Sequence, residues 1–216
     1  MIQIIILDFD GVILESVEVK SEAFRKLFSF APEYVAAIVQ FHRENGGMSR
    51  FDKINYIYKN ILKQELTSSG FQELSDNFSE LVFHEVITAP YVSGAYEFLE
   101  KFHTKIPLYV VSATPEDELI AIVREKELTR YFRKIYGSPR KKTDCIHEIL
   151  ASNNAPPLSV IFVGDARNDW DAAKAAHVRF VGRNGPEDTG QFTGCSGIEK
   201  VIADLHELGR YIEENQ

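Results

Sequence analysis

Four short apolar runs rich in β-branched residues recur along the chain, and none shows the clean polar–apolar alternation of a half-exposed strand. They are residues 2–7, 107–112, 158–164 and 178–182. Such runs are typical of strands that are covered on both faces. Helical spacing of apolar residues occurs between and around them, at about 92–103, 115–127, 142–152, 168–176 and 204–214. This alternation predicts an α/β fold, a doubly wound parallel sheet with helices on both sides.

One interval between predicted strands is too long for this scheme. About 95 residues separate Gly11 from Ile106, whereas a strand–helix–strand unit takes roughly 30 or more. Most of that interval has apolar residues at steps of three and four and contains no strand-like run. We therefore expect an all-helical domain, residues 16–85, inserted into a core formed by residues 1–15 and 86–216, with the chain re-entering the core near residue 88.

Charge and cysteine content argue against some classes of partner and cellular location. Its 24 Lys and Arg against 32 Asp and Glu give a net charge of −8, without the basic stripe that nucleic-acid binding needs. The two cysteines lie far apart without metal-ligand spacing, which favours reduced thiols and a cytoplasmic location. The apolar N-terminal run is too short for a membrane span, and no basic region precedes it, so it is not expected to be a signal peptide either. Oligomeric state is not readable from these features.

Polar side chains follow three of the predicted strands, and lysines precede one predicted helix. In an open parallel sheet, ligands bind beyond the carboxyl ends of the strands. We therefore expect these side chains to share one site. They are Asp8 and Asp10 after the first run, Ser112 at the end of the second, Asp165 and Asp169 after the third, and Lys141 and Lys142 in the loop "GSPRKKTD".

This set of side chains has a consistent chemistry. Crowded carboxylates repel one another and become partly protonated unless a cation lies among them. Oxygen ligands without His or Cys favour a hard ion such as Mg²⁺, which binds carboxylates, waters and a substrate phosphate. A carboxylate in that field can attack phosphorus and form an aspartyl-phosphate. A second carboxyl can protonate the leaving oxygen and later deprotonate water.

Four segments resemble, in order, the four motifs of the haloacid dehalogenase superfamily. They are "DFDGVILES", "VVSA", "GSPRKK" and "VGDARNDWDAAKAA". The resemblance covers nearly all of residues 1–182 and is to the subgroup with a helical cap inserted after the first motif, which includes phosphoglycolate phosphatases and β-phosphoglucomutases. It implies a Rossmann-like core with a cap, and a Mg²⁺-dependent phosphatase acting on a small phosphorylated metabolite.

The resemblance also implies a metal site and two reacting carboxyl groups. Asp8 corresponds to the nucleophile and a metal ligand, and Asp10 to the general acid and base, which touches the metal through its backbone carbonyl. Asp165 corresponds to a direct metal ligand, and Asp169 to a residue that holds the metal or its waters. Members that cleave carbon–halogen bonds lack a carboxylate at the position of Asp10, and phosphonate-cleaving members replace it, so its presence indicates phosphoryl transfer.

The remaining core positions are expected to bind the phosphoryl group. Ser112 corresponds to the residue that hydrogen-bonds it, and Ala113 and Thr114 follow in the same segment. The superfamily lysine corresponds to Lys142 or Lys141. We favour Lys142, since it directly precedes the predicted helix.

Substrate specificity is expected to come from Glu15 and Ser16 and from the inserted domain. In "GGMSRFDK" (46–53), two glycines can let the loop approach the site while Arg50 holds an anionic part of the substrate. The alternative is a glycine loop in which Ser49 caps the next helix. The pattern is similar to the cap loop of β-phosphoglucomutase, but Lys20 stands where the mutase has histidine.

Three alternatives to a phosphatase remain at this point. A β-phosphoglucomutase-like phosphosugar mutase would use the same nucleophile, and a catalytically inactive relative would only bind. A signalling receiver module also uses acids, a Ser or Thr and a Lys around Mg²⁺, but it has no place for an insert of about 70 residues. The substrate is expected to be a sugar phosphate or a phosphorylated sugar acid, with phosphoglycolate open. The six histidines receive no role, and "GPEDTGQF" (185–192) is expected to be a loop.

Overall fold

The computed structural model describes residues 1–185 and 190–216. Within these residues the core is a parallel sheet of six strands in the order β3-β2-β1-β4-β5-β6. This is the order of a doubly wound fold, which confirms the predicted fold class. The strands are β1 (Ile4–Leu7), β2 (Leu108–Pro115), β3 (Lys134–Ser138), β4 (Val160–Gly164), β5 (Arg179–Arg183) and β6 (Ile198–Ile202).

The two strands at the edges of the sheet, β3 and β6, were not predicted. Their sequences, "KIYGS" and "IEKVI", contain lysine, glutamate or glycine in place of a continuous apolar run. An edge strand has only one paired neighbour and keeps part of its surface in water, so it needs fewer apolar residues. The prediction rested on fully covered strands and therefore found the four central ones.

The helices lie where the spacing of apolar residues predicted them. Those of the insert are α1 (Val17–Leu27), α2 (Val35–Glu44), α3 (Arg50–Tyr56), which continues into a π-helical segment (Ile57–Leu62), and α4 (Ser68–Thr88). Those of the core are α5 (Ala95–Phe102), α6 (Glu116–Glu125), α7 (Lys142–Asn153), α8 (Arg167–Ala175) and α9 (Leu205–Glu214). None of the described helices is long and apolar enough to cross a membrane.

Side chains of β1 alternate between two apolar layers. Ile5 and Leu7 belong to the layer with α5, α6 and α9, whereas Ile4 and Ile6 belong to the layer with α7 and α8. All four side chains are at most 2% exposed. Covering both faces in this way explains why the first run is continuously apolar.

Helices α1–α4 form the all-helical insert, and their apolar side chains join the layer around α5, α6 and α9. Helix α4 continues to Thr88, so the boundary that we predicted at residue 85 falls inside it. The division into two domains remains a prediction. Of the "GPEDTGQF" segment, residues 186–189 lie outside the described residues.

Candidate active site

Three carboxylates meet where β1 and β4 end side by side. Leu7 and Val163 are paired in the register of these strands, which brings Asp8 next to the start of the β4–α8 loop. Asp8, Asp165 and Asp169 each offer an oxygen, and these three atoms lie within 4.8 Å of one another. We call these three residues the acidic cluster.

Two glycines make room for the acidic cluster. Gly11 has a φ of +73°, and a Cβ there would lie 2.1 Å from Oδ2 of Asp165. A Cβ on Gly164 would lie 2.3 Å from Cβ of Asp169. Any other residue at either position would displace a carboxylate, so both glycines are needed for the arrangement.

Lys142 joins two members of the acidic cluster. Its Nζ lies 2.9 Å from Oδ2 of Asp8 and 2.5 Å from Oδ1 of Asp169. Lys141 is exposed, whereas Lys142 is buried. Although burial opposes its charge, Asp169 and Asp8 raise the pKa of Lys142 above its ordinary value. Of the two neighbouring lysines, the structure brings Lys142 into the site.

The acidic cluster carries more negative charge than Lys142 offsets. Burial, opposed by Lys142 and reinforced by Asp169 and Asp10, raises the pKa of Asp8 from 3.8 to about 7. Burial and then Asp8 raise the pKa of Asp165 well above its ordinary value. A further cation would relieve this repulsion, and three carboxylate oxygens with no nitrogen or sulfur ligand suit Mg²⁺. The residues present therefore fit the ion that the sequence predicted.

This charge balance predicts that stabilisation by Mg²⁺ increases with pH. Because the pKa of Asp8 is about 7 in the folded protein and ordinarily 3.8, the folded protein holds more protons than the unfolded chain between these values. The free energy of unfolding of the metal-free protein therefore decreases as pH rises through this range. We expect saturating MgCl₂ to raise the melting temperature more at about pH 8 than at about pH 5.

Differential scanning fluorimetry with MgCl₂ or EDTA measures this difference. The Asp8→Asn protein is the control, since its side chain does not titrate and its Mg²⁺ shift should vary less with pH. An equal shift at both pH values in the unaltered protein would contradict the charge balance described for the acidic cluster.

The carboxylate of Asp10 points to a different set of partners. Its oxygens accept hydrogen bonds from Ser16 (2.6 Å), from Thr114 (2.9 Å) and from the ammonium of Lys20. Burial alone would raise the pKa of Asp10, but the charge and hydrogen bond of Lys20, with those of Ser16 and Thr114, lower it. These three donors occupy the carboxylate of Asp10. Its backbone carbonyl is then the group available for the expected contact with a metal.

Residues 112–114 line the pocket beside Asp8 through an irregularity in β2. The register between β2 and β3 shifts after Val111, and the hydroxyl of Ser112 accepts a hydrogen bond from the backbone N–H of Thr114 at 3.1 Å. Ser112, Ala113 and Thr114 all line the pocket that contains Asp8. The structure thus brings these three predicted residues to the site.

Arg50 lines the same pocket, but its guanidinium already has partners. It pairs with Glu118 of α6 at 2.5 Å, donates to Ser79 of α4 at 2.5 Å and lies over the ring of Phe78. Its expected anionic partner is thus supplied by the protein itself in this conformation. Arg50 is only 5% exposed.

The glycine loop before Arg50 approaches the β4–α8 loop. A Cβ on Gly47 would lie 2.8 Å from Cβ of Asn168, and one on Gly46 would lie 3.3 Å from Cβ of Ala166. Ser49 also caps α3 by accepting from the N–H of Asp52. The two interpretations of this loop are therefore compatible.

Glu15 lies outside the group of side chains that line the pocket with Asp8, and its expected role in substrate binding stays a prediction. Its carboxylate pairs with Arg183 at 2.5 and 3.0 Å, and Arg183 also donates to the backbone carbonyl of Gly11 at 3.0 Å. Arg183 is 4% exposed. Glu15 is thus held by a cation at the end of β5, and the pair fixes the loop that follows Asp8 and Asp10.

Three basic residues of the insert that received no role also line the pocket: Lys20, His42 and Lys53. Each lies on a helix whose sequence shows only amphipathic spacing. For Lys53, the available signal is its position three residues after Arg50, which places the two side chains on the same face of α3. His42 stands 11 residues before Lys53 and gives no such signal.

Comparison with known proteins gives one family. The family of haloacid dehalogenase-like hydrolases matches residues 5–183. A phosphoglycolate phosphatase of Photobacterium profundum is 26% identical in an alignment of 217 positions that covers 96% of this chain and 94% of that protein. One of Pseudomonas savastanoi pv. phaseolicola is 26% identical in an alignment of 216 positions that covers 95% of this chain and 78% of that protein. A hydrolase from Pseudomonas syringae shares the fold, with a TM-score of 0.80 at 19% identity over 98% of each chain.

Proposed function

The chain belongs to the family of haloacid dehalogenase-like hydrolases and is a phosphatase of that family; we propose that it is Mg²⁺-dependent and hydrolyses a small phosphorylated acid through an aspartyl-phosphate. Phosphoglycolate is the first candidate substrate, since the relatives described above are phosphoglycolate phosphatases that align with 95% or more of this chain. We further propose a cytoplasmic location, which is compatible with two free cysteines.

One observation carries the proposal, namely the acidic cluster with Lys142 against it. Asp8, Asp165 and Asp169 would hold Mg²⁺, which when bound neutralises negative charge on the phosphoryl oxygens. Lys142 supplies a second positive charge 2.9 Å from Asp8. A transferring phosphoryl group is stabilised mainly by such charges held in position.

In the first step, a carboxylate oxygen of Asp8 attacks phosphorus as the bond from phosphorus to the ester oxygen breaks. The leaving oxygen needs a proton, which is supplied by the Asp10–Lys20 pair in our proposal. The hydroxyl of Ser112 donates a hydrogen bond to the phosphoryl group and keeps its proton. The products are the free alcohol and an acyl phosphate on Asp8.

In the second step, water attacks the phosphorus of the acyl phosphate and Asp10 takes its proton. Asp8 leaves as a carboxylate, and inorganic phosphate is released. The Asp10–Lys20 pair regains the proton that it gave in the first step, so the cycle balances. The hydrogen bonds from Ser16 and Thr114 keep the carboxylate of Asp10 in place for both proton transfers.

One feature supports hydrolysis over the transfer of phosphate within a sugar. Arg50 is engaged by Glu118 and is not free to hold a second phosphate. Assaying phosphate release against isomer formation on hexose phosphates distinguishes the two reactions.

We expect phosphate release from phosphoglycolate to be fast in Mg²⁺ and to stop in EDTA. The measurement is a phosphate-release screen over two-carbon to six-carbon phosphate esters, each with MgCl₂ and with EDTA. Activity that persists in EDTA would contradict the metal-dependent reaction. Release from none of the esters would contradict the proposed function as a whole.

A further inference from the structure

Arg183 is the last residue of β5, and its side chain contacts two distant parts of the chain. Its Nε donates to the backbone carbonyl of Ala203, just after β6, at 3.0 Å. Its Nη1 donates at 3.0 Å to the carbonyl of Gly11 and at 3.0 Å to Glu15, and its Nη2 donates to Glu15 at 2.5 Å. Since all three nitrogens are engaged, the guanidinium is held in one orientation.

The order of the strands places Arg183 beside a member of the acidic cluster. Strand β4 lies between β1 and β5. Gly164 of β4 is paired with Gly182 of β5, so Asp165 and Arg183 directly follow a pair of neighbours. Strands are spaced about 4.8 Å apart, so a contact from β5 to the turn after β1 (residues 9–14) spans roughly two spacings. The side chain of Arg183 thus bridges the end of the strand from which Asp165 extends.

The carbonyl that Arg183 holds belongs to the glycine that lies against Asp165. A Cβ on Gly11 would lie 2.1 Å from Oδ2 of Asp165, so the backbone at this point is in contact with the carboxylate. The N–H of Gly11 donates to the carbonyl of Leu14 at 2.8 Å. One hydrogen bond therefore holds each of the two peptide groups that flank Gly11. Because glycine itself restricts φ and ψ very little, these bonds set its conformation.

The same two bonds determine where the backbone carbonyl of Asp10 points. In a trans peptide, this carbonyl is directed opposite to the N–H of Gly11, and it is the group expected to contact the metal. Arg183 holds the turn at Gly11 and again just beyond its end, at Glu15. Since the charge of Arg183 is balanced by Glu15, what it contributes to the site is the position of the turn.

We infer that Arg183 is a positioning residue of the metal site: it fixes the turn that carries Asp10 against Asp165, and so raises the affinity for Mg²⁺. This inference rests on the proposed Mg²⁺ dependence and deepens it, since it names a residue outside the acidic cluster on which metal binding relies. Arg183 is a cation and not a ligand, and it acts through the backbone of the turn.

The test is calorimetric titration of the EDTA-treated and dialysed protein with MgCl₂, without substrate. We expect the dissociation constant for Mg²⁺ to rise about 10- to 100-fold in Arg183→Met, which is typical when a group that orients a metal ligand is lost. Arg183→Lys keeps the charge, but an ammonium does not replace the planar fork of a guanidinium. Most of the loss should therefore remain in Arg183→Lys.

Arg179→Met is the matched control, because it removes the same kind of interaction from the opposite end of the same strand. The guanidinium of Arg179 is also forked, and it donates to the two carboxylate oxygens of Glu199 at 3.0 and 2.9 Å. Urea unfolding should show a loss of stability in both methionine variants. The affinity for Mg²⁺ should fall only in Arg183→Met.

Three outcomes overturn the inference. The first is an unchanged Mg²⁺ affinity in Arg183→Met, whatever happens to its stability. The second is an equal loss of affinity in Arg179→Met, which indicates general loosening of the fold. The third is full recovery in Arg183→Lys, which assigns the effect to charge and not to position.

Glu15→Gln provides a milder variant in case Arg183→Met does not fold. It leaves Arg183 in place but replaces the carboxylate that Arg183 holds, and a smaller rise of the dissociation constant for Mg²⁺ is expected. If Glu15→Gln and Arg183→Lys both bind Mg²⁺ as the unaltered protein does, the inference is wrong. A change in Glu15→Gln that is confined to the KM of the ester would assign Glu15 to substrate binding and would also contradict the inference.

The calorimetric comparison separates this inference from the proposed function, because it needs neither substrate nor turnover. If the unaltered protein binds Mg²⁺ but hydrolyses none of the esters, the proposed function fails and the comparison of affinities still supports or overturns the role of Arg183. If the esters are hydrolysed and the affinities of all variants are equal, only the inference fails. An unaltered protein that does not bind Mg²⁺ would overturn the inference and the metal dependence together.

Discussion

Replacing Asp8 with asparagine is expected to lower phosphatase turnover by about four to six orders of magnitude, the range seen when a nucleophile is removed. An amide has the shape of the carboxylate but does not form the acyl phosphate. Because Asp8 is buried with a pKa of about 7, the neutral amide should also remove a charge that destabilises the metal-free fold. Above about pH 7, the variant should therefore melt no lower than the unaltered protein in EDTA.

Phosphate release and thermal melting on the same samples measure both effects. Asp76→Asn, at an exposed position of α4, is the control for the chemical change and should keep full activity. Near-normal turnover by Asp8→Asn would refute its assignment as nucleophile. A large fall in its melting temperature in EDTA would refute the charge balance described for the acidic cluster.

Replacing Lys142 with methionine should be nearly as damaging, and for two reasons. It leaves Asp8 and Asp169 buried without their cation, and the loss of one partner of a buried ion pair costs about 3–5 kcal/mol of unfolding free energy. It also removes a charge that would stabilise the transferring phosphoryl group, for which a fall in kcat of about 10²- to 10³-fold is typical. We expect both effects in urea unfolding and in phosphate-release assays.

Lys141→Met is the matched control, since it makes the same chemical change one residue earlier. Lys141 is exposed, and the change should alter unfolding free energy by less than about 0.5 kcal/mol. If the two variants behaved alike, the separation of the lysines into a buried one in the site and a solvated one would be wrong. A change confined to Lys141→Met would reverse the assignment.

The core of the fold was predictable because its signals are local. Continuous apolar runs identify strands covered on both faces, and Asp8 and Asp165 follow two such runs directly. Parallel strands bring their carboxyl ends to one edge, so two carboxylates far apart in sequence were expected together and do meet. Lys142 was favoured because it directly precedes a predicted helix, and it is the residue that contacts the acidic cluster.

The side-chain partners that the sequence did not predict depend on how separate segments of the chain pack together. Lys53 and His42 lie on two different helices, and nothing in either segment indicates that their side chains meet. Glu15 was expected in the pocket but is held by Arg183, a partner 168 residues away. The guanidinium of Arg50 is likewise engaged by Glu118. Amphipathic spacing predicts that a helix buries one face but does not predict its neighbour.

The ion pair between Arg50 and Glu118 joins a helix of the insert to a helix of the core, and its two side chains are 5% and 9% exposed. Any movement that widens the pocket by separating α3 from α6 must pull these charges apart and hydrate both. Return of α3 to its place strips that water away again. Access to the pocket and the local dielectric around Asp8 would therefore change together. Water that enters when α3 and α6 separate would weaken the electrostatic interactions of the site, and its exclusion when they return would strengthen them.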